Sequence, residues 1–466
     1  MCRKKIISII SSLLCLNGCH SIQKEISADA RTPWIPAHNM TLNHDFLAPQ
    51  KALVGKYSLL ELIEIGLKFN PRTKHVWWHA KEAFANQGRA EASLFPHVDV
   101  SANINREQVG KNVPQPTQRI DNWGPAVTLT YKVFQFGADA AVAKSAAHLL
   151  YAANYAFNRQ LQTTVFEIQQ AFYNFSSAYA KIEARDSCLQ DATLSFEAVS
   201  QRKENGLARI QDVLLAKADK LQAEYELQAA KADLESCRAT LATTVGVPIA
   251  ADFSIETDYL NTETQKPFRD IEDLMQEILN KRADLLASEE TLEAKKWSQK
   301  ATHQSSLPSL SLRAQTSALK YKHNSRWQRN YGLSAGIQWN LFSGFDSQYS
   351  ELASYTQWKE QKYTLRQQQL EALRQTWTVF HAFQSSVQLS EASKALEEAA
   401  QEALKAIRTG YNTGINSLLD LLAAQKTLAN ARLNYIQAKT NMKLNLVQLA
   451  YITGQLDSKT PTQFNL

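Results

Sequence analysis

Side chains able to do chemistry are few in this 466-residue chain, and their spacing limits what it can be. His75 and His79 stand four apart, a spacing that lets two imidazoles on one helix face grip a metal ion. No glutamate completes an HExxH pattern and no third ligand is evident, so the pair reads as two solvated histidines. Asp212 and Asp420 each follow a glycine, Gly206 and Gly414, by six residues, where an acid in a helix's first turn complements its dipole. No phosphate-binding loop is present, so the chain offers no nucleotide-hydrolysing site of its own. The residues give no support for catalysis and imply no cofactor.

Cys19 is the remaining reactive candidate. A basic start (Arg3, Lys4, Lys5), an apolar run from Ile6 to Leu16 and then Leu16-Asn17-Gly18-Cys19 have the layout of an export signal over residues 1–18. The last four residues are similar to a bacterial lipobox, whose cysteine is acylated and becomes the new N-terminus. His20 after it, rather than Asp, implies by resemblance to bacterial lipoproteins delivery to the outer membrane. Ala28-Asp29-Ala30 is a competing cleavage site of the A-x-A type. If two helices meet at Gly206, Cys188 and Cys237 differ in height by roughly 20 Å at about 1.5 Å per residue, too far for a disulfide. Both read as buried small hydrophobes.

The elements that carry these residues occur twice. From Trp123 to Gly246 the chain states a pattern that it repeats from Tyr331 to Gly454, at a constant offset of 208. Each copy has alternating strand, an aromatic pair (Val133-Phe134, Leu341-Phe342), a very long helix, a turn at Gly206 or Gly414, and a returning helix. From Gly137 to Glu204 and from Asp346 to Asn412 there is no proline, and no internal glycine but Gly410, which predicts helices of roughly 100 Å. Leu161, Val165, Ile168, Phe172, Phe175, Tyr179 and Ile182 alternate at spacings of four and three, a heptad stripe that must pack on neighbours. Ser58-Leu59-Leu60-Glu61 predicts a capping box at one shorter helix, and Arg282-Ala283-Asp284-Leu285 the start of its counterpart.

Four runs have period two. Val98, Val100, Ala102 and Ile104 share a side, as do Val127, Leu129, Tyr131 and Val133; so do Leu310, Leu312 and Ala314, and Leu333, Ala335, Ile337, Trp339 and Leu341. Each run is about ten residues, enough to cross a bilayer when tilted, and aromatics cluster at the ends. Half-buried strands of a soluble sheet would share the alternation, but these helices provide no ordinary layer to cover a sheet. Four strands cannot close a barrel in lipid, so several copies must share one. Formal charge is +6, three of it in the leader, with both signs well mixed, which calls for no nucleic-acid partner.

The ordered duplicate resembles the TolC-type outer-membrane efflux proteins, in their lipidated drug-efflux branch. The resemblance rests on Asn70-Pro71, Arg282 to Leu292, Leu94-Phe95-Pro96, Leu307-Pro308, Val133 to Gly137, Leu341 to Gly344, and the turns Gly206-Leu207 with Asp212 and Gly414-Ile415 with Asp420. It implies a mainly α fold with a membrane β-barrel portion: a homotrimer sharing twelve strands in the outer membrane and an α-helical periplasmic tunnel. It implies docking to a periplasmic adaptor and an inner-membrane transporter through tips at Asn205-Gly206-Leu207 and Thr413-Gly414-Ile415. Asp420, with Asp212, would lie at a constriction, while Ala423 replaces a second acid and Asn416 a basic gate residue of some members. The expected organisation is leader 1–18, extension 19–57, first repeat 58–250, linker 251–269, second repeat 270–456 and tail 457–466. A type I protein-secretion duct and a structural coiled-coil envelope protein are the rival readings; the latter leaves the paired strands unexplained. The basic loop from Lys320 to Arg329 would face outward, either solvated or against anionic headgroups.

Overall fold

Ser58 opens the first helix with the expected reciprocal cap: its hydroxyl accepts from the Glu61 amide at 3.4 Å, and the Glu61 carboxylate accepts from the Ser58 amide at 2.8 Å. Helix α1 (Leu59–Phe69) buries Leu59, Leu62, Ile63, Gly66 and Leu67 on one stripe. Asn70 ends it and starts α2 (Pro71–Ala92), its side-chain carbonyl accepting from the Arg72 amide at 2.8 Å. Pro71 stands at the first helical position, where a missing amide costs nothing.

The computed structural model describes residues 55–108, 119–247, 253–255, 271–322 and 326–456, together with 29, 31 and 32. Cys19 and the leader lie outside the described residues. After α2 come β2 (His97–Gln108), β3 (Arg119–Phe134), the 67-residue α3 (Ala138–Glu204) and α4 (Ile210–Val245). The second copy supplies α5 (Ile271–Lys281), α6 (Ala283–Ser305), β5 (Ser309–Tyr321), β6 (Trp327–Gln338), the 67-residue α7 (Asp346–Asn412) and α8 (Leu418–Ile452). Short strands β1 (Gly55–Tyr57) and β4 (Phe253–Ile255) pair in parallel. Both long helices thus begin and end where the stretches free of proline, and of glycine but for Gly410, do.

Two expectations need correction. The counterpart of α1 is α5, not the helix that Arg282 opens; Arg282 precedes α6, the counterpart of α2. The copies are offset by 212 up to and including the first strand of each hairpin and by 208 from the second strand onward, so the single offset of 208 does not bring α1 onto α5. Second, Trp339 and Leu341 continue the alternation of β6 but lie beyond its end at Gln338, because no strand flanks them.

The chain divides into two compact units, one of residues 1–78, 155–286 and 368–466, the other of 79–154 and 287–367. In the first, the α1 stripe packs with Phe157, Leu161, Val165, Ile168, Phe172 and Phe175 of α3 and with Leu241 and Val245 of α4. Tyr179, the next residue of the heptad stripe, is 41% exposed, so the core stops one turn after Phe175. The second copy repeats the packing with Leu274 of α5, Val379 and Phe380 of α7 and Leu449 of α8. Cys188 and Cys237 are free and half-buried rather than fully buried as expected, and Cys237 packs against the margin of this core.

The second unit holds one antiparallel sheet in the order β2-β3-β5-β6. Val98 pairs with Leu129 and Val100 with Val127; Leu129 pairs with Ala314, which pairs with Leu333. The alternation therefore becomes one continuous apolar face, and most of it is exposed. The strand-to-helix turns need two successive left-handed residues: Phe136 (φ 49°) and Gly137 (φ 85°) in one copy, Gly344 (φ 67°) and Phe345 (φ 70°) in the other.

Gly206 and Gly246 separate backbone strain from crowding. Both have positive φ, but a Cβ on Gly206 meets nothing within 4 Å, whereas on Gly246 it would lie 3.0 Å from the Asn70 Cα. Gly206→Ala should cost about 1–2 kcal/mol and Gly246→Ala about 2–4 kcal/mol. Thermal unfolding followed by circular dichroism in detergent checks the order; equal losses would refute the crowding at Asn70.

Candidate functional site

The two helix-hairpin tips gather most of the residues singled out in the sequence. At the end of α3 the Gly206 amide donates to Lys203 O at 3.0 Å and the Leu207 amide to Arg202 O at 2.8 Å. At the end of α7 the Gly414 amide donates to Tyr411 O at 3.2 Å and the Ile415 amide to Gly410 O at 2.8 Å. This paired pattern satisfies orphan helix carbonyls through a left-handed residue, and φ is 75° at Gly206 and 80° at Gly414. The residue after each glycine is apolar and bare: Leu207 is 78% exposed and Ile415 82%. Asn205 and Thr413, beside them, are exposed as well.

The acids differ between the copies. Asp420 completes a capping box, accepting from the Ser417 amide at 2.9 Å and the Ser417 hydroxyl at 2.7 Å, while its own amide donates to that hydroxyl at 3.2 Å. The Ser417 hydroxyl and then the Ser417 amide hold this exposed carboxyl below its ordinary pKa. Asp212 accepts only from the Arg209 amide, at 3.2 Å, since Arg209 stands where the second copy has Ser417 and has no side-chain acceptor to return. Both acids are therefore helix-starting groups in this structure.

Asn416 is a cap too. Its side-chain amide donates to Ile407 O at 3.3 Å and lies against Gly410, where a Cβ would come within 2.6 Å of Asn416 Nδ2. A side chain at 410 would therefore have to displace the Asn416 amide. Contacts between the hairpins were invisible in the sequence. Arg408 Nη2 donates to Asp191 Oδ1 at 2.8 Å, and the Arg202 guanidinium lies 4.6 Å from the Tyr411 ring centre. Beneath them Val199 and Ala216 of the first hairpin pack with Leu418 and Leu422 of the second.

Other candidates are not drawn together. His75 and His79 are both exposed on α2, and among the described residues no group of three or more His, Cys, Asp or Glu could hold a metal ion. Burial raises the pKa of the Cys188 and Cys237 thiols, which lowers their thiolate content and reactivity. No described helix is long and apolar enough to cross a membrane.

Comparison with known proteins gives a consistent result. The family described as Outer membrane efflux protein matches residues 62–247 and 274–455. The Toluene efflux pump outer membrane protein TtgC of Pseudomonas putida is 23% identical over 458 residues, covering 92% of this chain and 91% of that protein. The Alkaline protease secretion protein AprF of Pseudomonas aeruginosa is 22% identical over 418 residues, 86% of this chain and 85% of AprF. The crystal structure of the outer membrane protein VceC from Vibrio cholerae has the same fold, with a TM-score of 0.75 at 20% identity over 85% of this chain and 96% of VceC.

The Asp420 cap makes stability depend on pH with a definite sign. Its hydrogen bonds exist only in the folded chain, so the folded pKa lies below the unfolded one. The stabilisation is complete above the unfolded value and disappears as pH falls through the folded value. Wild type should melt above Asp420→Ala at neutral pH, and the gap should close as the solution is acidified below the ordinary carboxylate range. A gap that persists in strong acid would show that the cap does not act through the carboxylate.

Proposed function

Because this chain belongs to the outer membrane efflux protein family, we propose that it is the outer-membrane exit duct of a tripartite efflux system. In this reading three copies share a twelve-stranded barrel, and the long helices line a periplasmic tunnel that receives small molecules from an adaptor and an inner-membrane transporter. The observation that carries it is the exposed apolar face of the β2-β3-β5-β6 sheet, where Val100 is 76% exposed, Ile104 90% and Ile337 77%. A sheet with one dry face and one polar face suits lipid on one side and water on the other. Without a spanning helix among the described residues, that sheet is their candidate for crossing the membrane.

Adaptor docking falls to Asn205-Gly206-Leu207 and Thr413-Gly414-Ile415. Bare Leu207 and Ile415 on well-capped turns provide apolar contacts at low ordering cost, which supports a partner at the tips. In the same reading Asp420 and Asp212 lie near the constriction, Asp212 with one carboxylate hydrogen bond fewer. Cys19 carries the lipid. A barrel anchors by itself, so the lipid adds a second membrane signal rather than the decisive one.

Coexpression with its cognate adaptor and pump in a host lacking its own duct should restore resistance to small toxic compounds. Gly206→Val or Gly414→Val should weaken export while oligomer and membrane location survive, as strained backbone at the tip misplaces its neighbours. Full export in both variants would exclude the tips as the docking site. Restored release of a secreted protein without resistance would instead favour the AprF-like role.

Three equivalent Asp420 carboxylates around a narrow passage would favour cations. Single-channel recordings of Asp420→Ala should show reduced cation selectivity and weaker block by divalent cations. Unchanged selectivity in folded oligomer would confine Asp420 to its capping role.

A further inference from the structure

Where the second strand hairpin meets its helices, the second unit encloses a cavity of about 330 Å³, at the small end of ligand pockets. Its walls are the end of α6, the adjoining ends of β5 and β6, the start of α7, and Gln135 from the turn after β3. Trp339 fixes one side, its ring N–H donating to Ser306 O at 3.2 Å, so the chain leaving β6 is tied to the chain leaving α6. Ser309 and Gln338, which line the cavity, pair with each other on the polar side of the sheet's alternation. The cavity therefore lies on the polar face.

The wall is built to accept hydrogen bonds. The Thr302 hydroxyl donates to Ser298 O at 3.1 Å, that of Ser305 to Thr302 O at 2.8 Å and that of Ser306 to His303 O at 2.7 Å. Each has one proton and has committed it within this segment, which leaves three oxygens that can only accept. Asp346 is the one charged side chain in the wall, and it has no ion-pair partner among the described residues. A carboxylate beside three accepting hydroxyls suits a ligand that carries positive charge and many donors. A bare divalent cation fits poorly, because calcium takes six to eight oxygens and shares its charge among more than one carboxylate in its tighter sites.

The first copy shows what the fold itself requires at this junction. With α6 offset by 212 and β6 and α7 by 208, Thr302, Ser306, Asp346 and Ser350 stand where the first copy has Ala90, Leu94, Ala138 and Val142. Asn340 and Ser347 replace Lys132 and Asp139, which close the first junction with an ion pair at 3.1 Å. Apolar side chains and one ion pair thus suffice to build the turn. Four polar residues at positions that are apolar in the other copy have a reason outside folding.

We propose that this cavity binds a small amine-bearing polyol, about one sugar ring in size, with the ammonium on Asp346 and hydroxyl groups on the oxygens of Thr302, Ser305 and Ser306. It rests on the duct reading, in which the polar face of the sheet borders water, and names a class of cargo that pauses there.

Glucosamine and glucose differ only in an amine for a hydroxyl and serve as the probes, with purified oligomer in detergent and binding followed by saturation-transfer NMR in slightly acid buffer. Glucosamine should bind about tenfold more tightly than glucose, the discrimination that a hydrogen bond to a charged group provides. Asp346→Asn should remove that preference, while Asp139→Asn, at a first-copy position already paired with Lys132, should keep it. Ser306→Leu with Ser350→Val installs the first copy's own residues, which that junction tolerates, and should weaken both sugars at least fivefold. Equal binding of the two sugars overturns the proposal. So does a preference that survives Asp346→Asn or is lost equally in Asp139→Asn, or binding that the leucine and valine leave unchanged. Current through planar bilayers separates the two readings: a conducting protein that binds neither sugar keeps the duct and loses the site, whereas one that binds glucosamine through Asp346 without conducting keeps the site and loses the duct.

Discussion

The ladder between β3 and β5 is the interaction on which the second unit depends. It is the only strand pairing in that sheet that joins one copy of the repeat to the other, and it turns two hairpins into a four-stranded surface. A lone hairpin is marginal in water, and a larger sheet stabilises each strand by cross-strand contacts and satisfied backbone groups. Tyr131 to Phe134 show the effect directly: they are strand because β5 lies beside them, while Trp339 to Phe342, with the same alternation, are not.

The first unit is held differently, by apolar stripes that converge on short helices. Leu62 and Leu274 occupy equivalent positions in α1 and α5, and each is completely buried against its own long helix. The copies are not interchangeable, however. Ser417 gives Asp420 a reciprocal cap that Arg209 denies to Asp212, and Phe and Gly exchange places at the strand-to-helix turn. Duplication supplied the frame, and single residues made the two hairpin tips chemically distinct.

Local signals were readable and distant ones were not. The ends of α3 and α7 follow from stretches free of proline and nearly free of glycine, and Ser58 with Glu61 announced a cap that is present, because each depends on neighbours within a turn or two. Arg408 and Asp191 lie 217 residues apart, so no spacing rule could have joined them. Asn416 invited comparison with a gate residue, but its side chain folds back on the Ile407 carbonyl. Helix α5 was missed because the repeat changes its count inside the strand hairpin, between β2 and β3, and Tyr179 fell outside the core because a heptad pattern records periodicity without recording where neighbouring helices end.

That change of count has its own meaning. The offset falls from 212 to 208 between β2 and β3, yet the pairings on either side keep step, so the four-residue difference is confined to the connection between those strands. Elsewhere in the hairpins, adding a residue would shift side chains from one face to the other. Register is therefore carried by the paired strands and not by the number of residues between them: the two copies keep one lattice of strand contacts across a four-residue difference in length.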